Sequence, residues 1–148
     1  MVYIKNPAFP SAIICDIDGT IALRGDSRSP YDYSRVLADR PNTPIIDLVR
    51  MLGENTHLIF VSGRDDSCRE DTKQWLVDHL DIPYPDNVEL YMRKTGDNRK
   101  DAIVKQEIFE THIAPAWNVL YVLDDRNQVV DMWRALGLTV LQVADGDY

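Results

Sequence analysis

Five short apolar runs divide this chain, and a stretch of helical spacing lies in every gap between them. The runs are AIIC (12–15), HLIFVS (57–62), VELYM (88–92), VLYVL (119–123) and LTVLQV (138–143). Strand-length segments that are apolar at nearly every position bury both faces, as strands of a parallel sheet do. The helical gaps supply the crossovers that parallel strands need. The pattern predicts an α/β fold, a single Rossmann-like domain over residues 1–148 with a five-stranded parallel sheet and helices on both faces. No gap is long enough for a second domain, so little or no cap is expected over the sheet.

The four helices have readable ends. Thr43 and Pro44 make a cap and first-turn pair for a helix to about Leu52, with Gly53 after it. Cys68, Thr72, Trp75, Leu76, His79 and Leu80 line one face of the second. The third runs from about Asn98 to Ile113, ahead of Pro115, and the fourth from about Asn127 to Leu136, ahead of Gly137.

Ligands of open α/β sheets bind at the carboxyl ends of the strands. Three of the runs end there in reactive polar groups. The first leads into Asp16 and Asp18, the second ends in SGR (62–64), the fourth leads into DDR (124–126). Four carboxylates at one edge repel unless a cation sits among them. Hard oxygen donors with no Cys or His cluster favour Mg²⁺. On the third helix Ala102, Val104, Ile108, Phe109 and Ile113 share a broad arc with Asp101 and Lys105, while Lys100 falls opposite. A lysine on a core-facing arc needs a partner. Asp101 one turn earlier, a phosphate at the sheet edge, or a plain snorkelling route to water would each serve.

A formal net charge of −8 argues against a protein that coats nucleic acid through a broad basic surface. It leaves open a site that grips only a phosphorylated end. No apolar run approaches a membrane span, and the first residues lack the signal-peptide pattern, so a cytoplasmic location is expected. Cys15 and Cys68 read as core thiols. His57, His79 and His112 lack metal-ligand spacing and read as structural. Trp75, Trp117 and Trp133 read as core, whereas Tyr31 sits in a loop beside Arg28 where a base could stack.

In order, DIDGT, VSGR, a helix-borne lysine and LDDR resemble the four motifs of the haloacid dehalogenase superfamily of phosphotransferases. The likeness extends to the phosphatase domain of phage-type polynucleotide kinase/3′-phosphatases. It is carried by RSPYD (28–32), TGDNRKDAIVKQEIF (95–109), HIAP (112–115), LDDRNQVVDMWR (123–134) and QVADGDY (142–148). A kinase-type G-x-x-x-x-G-K-[ST] loop does not occur in this sequence, which leaves a free-standing phosphatase or one domain of a larger protein.

The resemblance implies roles. Asp16 is the nucleophile that forms an aspartyl-phosphate, and Asp18 the acid and then the base. Ser62 and Thr20 contact the transferring group, and Lys105 neutralises it. Asp16, the Asp18 carbonyl and Asp125 hold Mg²⁺, with Asp124 behind them or ligating through water. Arg28, Arg64 and Arg93, with Asp101, belong to phosphate or substrate binding, and Arg28 is preferred over Arg24 because RSPYD follows it. The implied activity is hydrolysis of a terminal 3′-phosphate from DNA or RNA in end repair, whether phage-encoded in a host cell or not, beside a kinase or ligase of the same pathway. Two readings compete. A small-molecule phosphatase such as a nucleotidase would need more enclosure than these short gaps provide. A receiver-type phosphorylation switch would carry its phosphorylated Asp after the third strand, not D-x-D after the first.

Overall fold

The computed structural model describes residues 2–26 and 28–148. Its strands are β1 (Ser11–Cys15), β2 (Ala22–Leu23), β3 (Arg40–Pro41), β4 (His57–Asp65), β5 (Glu89–Arg93), β6 (Asn118–Asp124) and β7 (Val140–Gln142). Its α-helices are α1 (Thr43–Gly53), α2 (Arg69–Leu80), α3 (Asp101–Ile108) and α4 (Asn127–Ala135). Five strands form one sheet in the order β5-β4-β1-β6-β7, and every pairing is parallel. The predicted sheet is therefore the observed one, with β1 at its centre.

Alternation along β1 divides the interior in two. Ile13 and Cys15 join Ile46 and Val49 of α1 and Trp75, Leu76 and Leu80 of α2 on one face. Ala12 and Ile14 join Phe109, Ile113 and Val129, Val130 and Trp133 on the other. Period-two side chains on a strand produce this two-sided burial. Both cysteines are free and buried. His79 tilts against Trp75, His57 stacks on Trp117 and His112 on Tyr91, so all three histidines pack against aromatic rings.

Three details differ from the sequence expectation. Thr43 is the first residue of α1 rather than its cap. Asn42 holds the cap position, and its side chain instead donates to the Thr20 carbonyl at 2.9 Å. The third helix starts at Asp101 and its α-geometry ends at Ile108, where a π-turn spans Phe109–Ile113. That wider turn buries both Phe109 and Ile113. The stretch between β1 and α1 also has structure. It holds the antiparallel β2–β3 pair and a kinked 3-10 turn at Tyr33–Ala38. This small excursion is the only insertion over the carboxyl edge among the described residues before α1, and it is no cap domain.

Candidate active site

Asp16 follows directly on β1, where its N–H donates to the Leu123 carbonyl at 2.9 Å and continues the pairing with β6. The central strand thus carries its acid to the middle of the edge. Both carboxylate oxygens of Asp16 are held. Lys105 Nζ donates to Oδ1 at 2.7 Å, and the Thr20 hydroxyl donates to Oδ2 at 2.8 Å. Gly19, at φ +81°, makes the turn between them, and a Cβ there would lie 2.2 Å from Asp125 Oδ2.

Lys105 is 1% exposed, and its closest partners are two acids of the sheet edge rather than any of those the helical arc offered. Besides Asp16 it reaches Asp124 Oδ2 at 3.1 Å, with Asp101 Oδ2 farther off at 3.9 Å. Lys100 is exposed. Burial opposes the charge on Lys105, yet Asp124 and Asp16 outweigh it and hold the ammonium well above its ordinary 10.5. Burial, and next the charge of Asp124, push the Asp16 carboxyl well above its ordinary 3.8 against the pull of Lys105.

Asp16, Asp124 and Asp125 can each turn one carboxylate oxygen to within 4.8 Å of the others, and all three are buried. Three hard donors with one lysine beside them carry excess negative charge, so the donor set fits a divalent cation. Asp124 is already occupied by four donors. Lys105 and Trp133 Nε1 (3.2 Å) meet Oδ2, while the Asp125 N–H (2.9 Å) and Arg126 N–H (3.4 Å) meet Oδ1.

Asp18 turns away from this group. Arg64 grips it with Nε on Oδ2 at 2.9 Å and Nη2 on Oδ1 at 2.8 Å, and Arg28 Nη2 adds a contact at 3.3 Å. Desolvation opposes the carboxylate, but the hydrogen bonds and charge of Arg64, then the charge of Arg28, bring it below its ordinary 3.8. Ile17 is buried between the two acids, and Asp16 and Asp18 reach different partners on either side of it.

Asp39 joins the arginines, and nothing in the sequence pattern marks it. It is 2% exposed. Arg28 donates to both its oxygens at 2.9 Å, and Arg64 Nη2 donates to Oδ2 at 2.9 Å. The signal would have been a charged residue next to the buried Val36 in an otherwise polar loop, which is too common to single out. Trp75 Nε1 also donates to the Asp39 carbonyl at 2.9 Å, tying this loop to α2.

Ser62 is buried in β4 three residues before its end, where its Oγ accepts from the Arg64 N–H at 3.1 Å. Arg93 spends its donors on the chain itself. Nε meets the Gly63 carbonyl at 2.9 Å, and Nη1 meets the carbonyls of Asp97 at 2.9 Å and Arg99 at 2.5 Å. Nη2 reaches Asp101 Oδ1 at 3.4 Å. The edge opens into a cleft of about 1520 Å³ whose lining includes Asp16, Asp18, Arg24, Tyr31, Lys100 and Tyr148. Tyr31 is 85% exposed at its rim.

A five-stranded parallel sheet whose central strand delivers a buried acid to a lysine and a second acid pair defines a haloacid dehalogenase-like fold. A haloacid dehalogenase-like family hydrolase from Streptococcus pneumoniae shares that fold at a TM-score of 0.60 and 15% identity, over 90% of this chain and 84% of that one. Residues 10–148 match the family of the polynucleotide kinase PNKP phosphatase domain, and the chain belongs to that family. It is similar to a putative bifunctional polynucleotide kinase/RNA ligase of Autographa californica nuclear polyhedrosis virus, with 37% identity over 144 residues, 95% of this chain and 20% of that protein. Chains in two structures of the Pnkp1/Rnl/Hen1 complex, one described as an RNA repair complex, superpose at a TM-score of 0.88. They share 39% and 41% identity, and each match covers 99% of this chain. The chain spans 47% and 50% of those polypeptides, and a fifth of the viral relative. Among the described residues no helix is long and apolar enough to cross a membrane.

Proposed function

We propose that this chain hydrolyses a terminal 3′-phosphate from DNA or RNA, with Mg²⁺, through an aspartyl-phosphate on Asp16. The observation that carries the reading is the placement of Asp16, buried at the end of the central strand with Lys105 and Thr20 on its two oxygens. Membership of the PNKP phosphatase family and the repair proteins named among the relatives support nucleic-acid ends as the substrate.

In the first step an Asp16 oxygen attacks phosphorus, the bond from phosphorus to the 3′-oxygen breaks, and Asp18 supplies the proton to that oxygen. In the second, water attacks the same phosphorus while Asp18 takes its proton, releasing inorganic phosphate and free Asp16. Lys105 offsets the charge that gathers on the transferring oxygens. Asp18 starts as a carboxylate clamped by Arg64. An incoming phosphate that draws Arg64 and Arg28 toward itself loosens that clamp and lets Asp18 hold a proton. Asp16 and Asp125 would hold the cation with the Asp18 carbonyl. Asp124 sits behind them, because its oxygens already serve four donors. Bound there, Mg²⁺ supplies charge neutralisation at the phosphoryl oxygens. Arg93 orders the loop at residues 94–100 beside the substrate. A kinase or ligase in the same repair pathway is the proposed partner, as the composite relatives suggest.

The test compares initial rates on a 3′-phosphorylated oligonucleotide, its 5′-phosphorylated counterpart and a mononucleotide, with Mg²⁺ and with a chelator. Turnover confined to the 3′-phosphate and abolished by chelation is expected. Equal rates on both ends, or a marked preference for the mononucleotide, would replace this reading with that of a general phosphatase or a nucleotidase.

A further inference from the structure

The segment after β7 folds back over the turn between β6 and α4. Gln142 Nε2 donates to the Asp125 carbonyl at 3.0 Å, and the Asn127 N–H donates to the Gly146 carbonyl at 2.8 Å. Gly146 seats so closely that a Cβ there would lie 1.8 Å from the Asp125 carbonyl oxygen. This seating carries Tyr148 to the cleft. The Tyr148 hydroxyl donates to Asp125 Oδ2 at 2.5 Å. Arg126 closes the loop from the other side, with Nε donating to the Tyr148 carbonyl at 2.8 Å and its guanidinium carbon 5.1 Å from the Tyr148 ring centroid. Tyr148 is 62% exposed at the cleft lip, while its hydroxyl reaches inward to Asp125. The proposed reaction makes no use of these contacts.

A carboxylate serves a cation best when its orientation is fixed by partners that do not themselves touch the ion. Asp125 has that division of labour. Its Oδ2 takes the phenol, and its Oδ1 lies 3.4 Å from the Thr20 hydroxyl, which itself donates to Asp16 Oδ2. The single Thr20 proton is committed to Asp16 Oδ2, so it is the Tyr148 phenol that donates to Asp125 and holds it beside Asp16. We infer that Tyr148 is a positioning residue, whose hydroxyl fixes the Asp125 carboxylate in the orientation from which Asp125 and Asp16 converge on a divalent cation. The inference rests on the proposed role of Asp125 as a cation ligand.

The decisive variant is Tyr148→Phe, which keeps the ring over Arg126 and removes only the hydroxyl. Mn²⁺ serves as the probe, its free concentration read by electron paramagnetic resonance as protein is titrated in without substrate. Tyr148→Phe should weaken Mn²⁺ binding by roughly tenfold or more, with the cation-free melting temperature close to wild type. The Mn²⁺ concentration for half-maximal phosphatase rate should rise in step, while the rate at saturating cation stays near normal. Gly146→Ala, which must displace the segment, should reproduce the loss of affinity. Wild-type binding that Asp125→Asn abolishes but Tyr148→Phe leaves unchanged overturns the inference and leaves the cation site standing. Binding in the wild type that does not depend on Asp125 overturns both.

Discussion

At the scale of single residues, the site consists of charges buried in matched sets. Lys105 faces three aspartates, and its value lies in charge rather than in packing. Lys105→Ala should therefore lower phosphatase kcat by roughly a hundredfold or more, while Lys100→Ala, on the exposed side, stays close to wild type. Single-turnover rates for both variants decide the ranking. Asp39 makes a different prediction. Its side chain is fully buried against two arginine side chains that are each 1% exposed. Asp39→Asn leaves two guanidinium groups with half their balancing charge, a loss of about 3–5 kcal/mol for a broken buried pair. Denaturant unfolding should read that loss, and phosphatase activity should fall with it because Arg64 no longer holds its place against Asp18.

At the scale of elements, what was legible follows how local each signal is. The five strands, the four helices and the polar ends of β1, β4 and β6 could be read because apolar periodicity and end signals repeat within a few residues. Lys105 could be placed for the same reason, since its neighbours at helical spacing fix its side. The excursion between β1 and α1 could not. Two-residue strands have no period to detect, and Asp39 gains its meaning only when Arg28 and Arg64 arrive from elsewhere. Tyr148 was likewise hidden, because only the closing of the segment over β6 brings it to Asp125. Arg93 shows a milder limit. Its strand-end position was visible, but its use as an anchor for backbone carbonyls was not. Arg93→Ala should accordingly loosen residues 94–100, seen as faster amide hydrogen exchange in that loop. It should raise KM for an oligonucleotide more than for an aryl phosphate. Unchanged exchange at 94–100 would return Arg93 to a purely ligand-binding role.

At the scale of the whole molecule, charge is uneven. The net charge is −8, yet the cleft gathers arginines at its floor and rim. A phosphorylated end should feel only a few cations, so log(kcat/KM) against log[salt] for a single-stranded 3′-phosphorylated oligonucleotide should have a slope of only about −1. A steep slope would point to a longer basic track. Acid stability is a second global property. The Asp18 carboxyl is held below its ordinary 3.8 in the folded chain. Its pair with Arg64 therefore stabilises the fold above that value and is lost as pH falls through the lower folded one. The melting-temperature advantage of wild type over Asp18→Asn should be full at about pH 5 and shrink steadily as pH falls below the ordinary 3.8.

The central position of β1 has a consequence for how the molecule comes to exist. Asp16 meets Lys105 across 89 positions of sequence, and Thr20 reaches Asp125 across 105. During synthesis β1 emerges before β4 and β6, apolar on both sides, and must wait for both neighbours. Until β4 and then β6 arrive, its two open edges are templates for any other extended chain. The strand that carries Asp16 is thus also a point in the nascent chain that is open to aggregation. A site assembled from such distant positions cannot function in a fragment, so activity itself reports that the last strand pairings have closed.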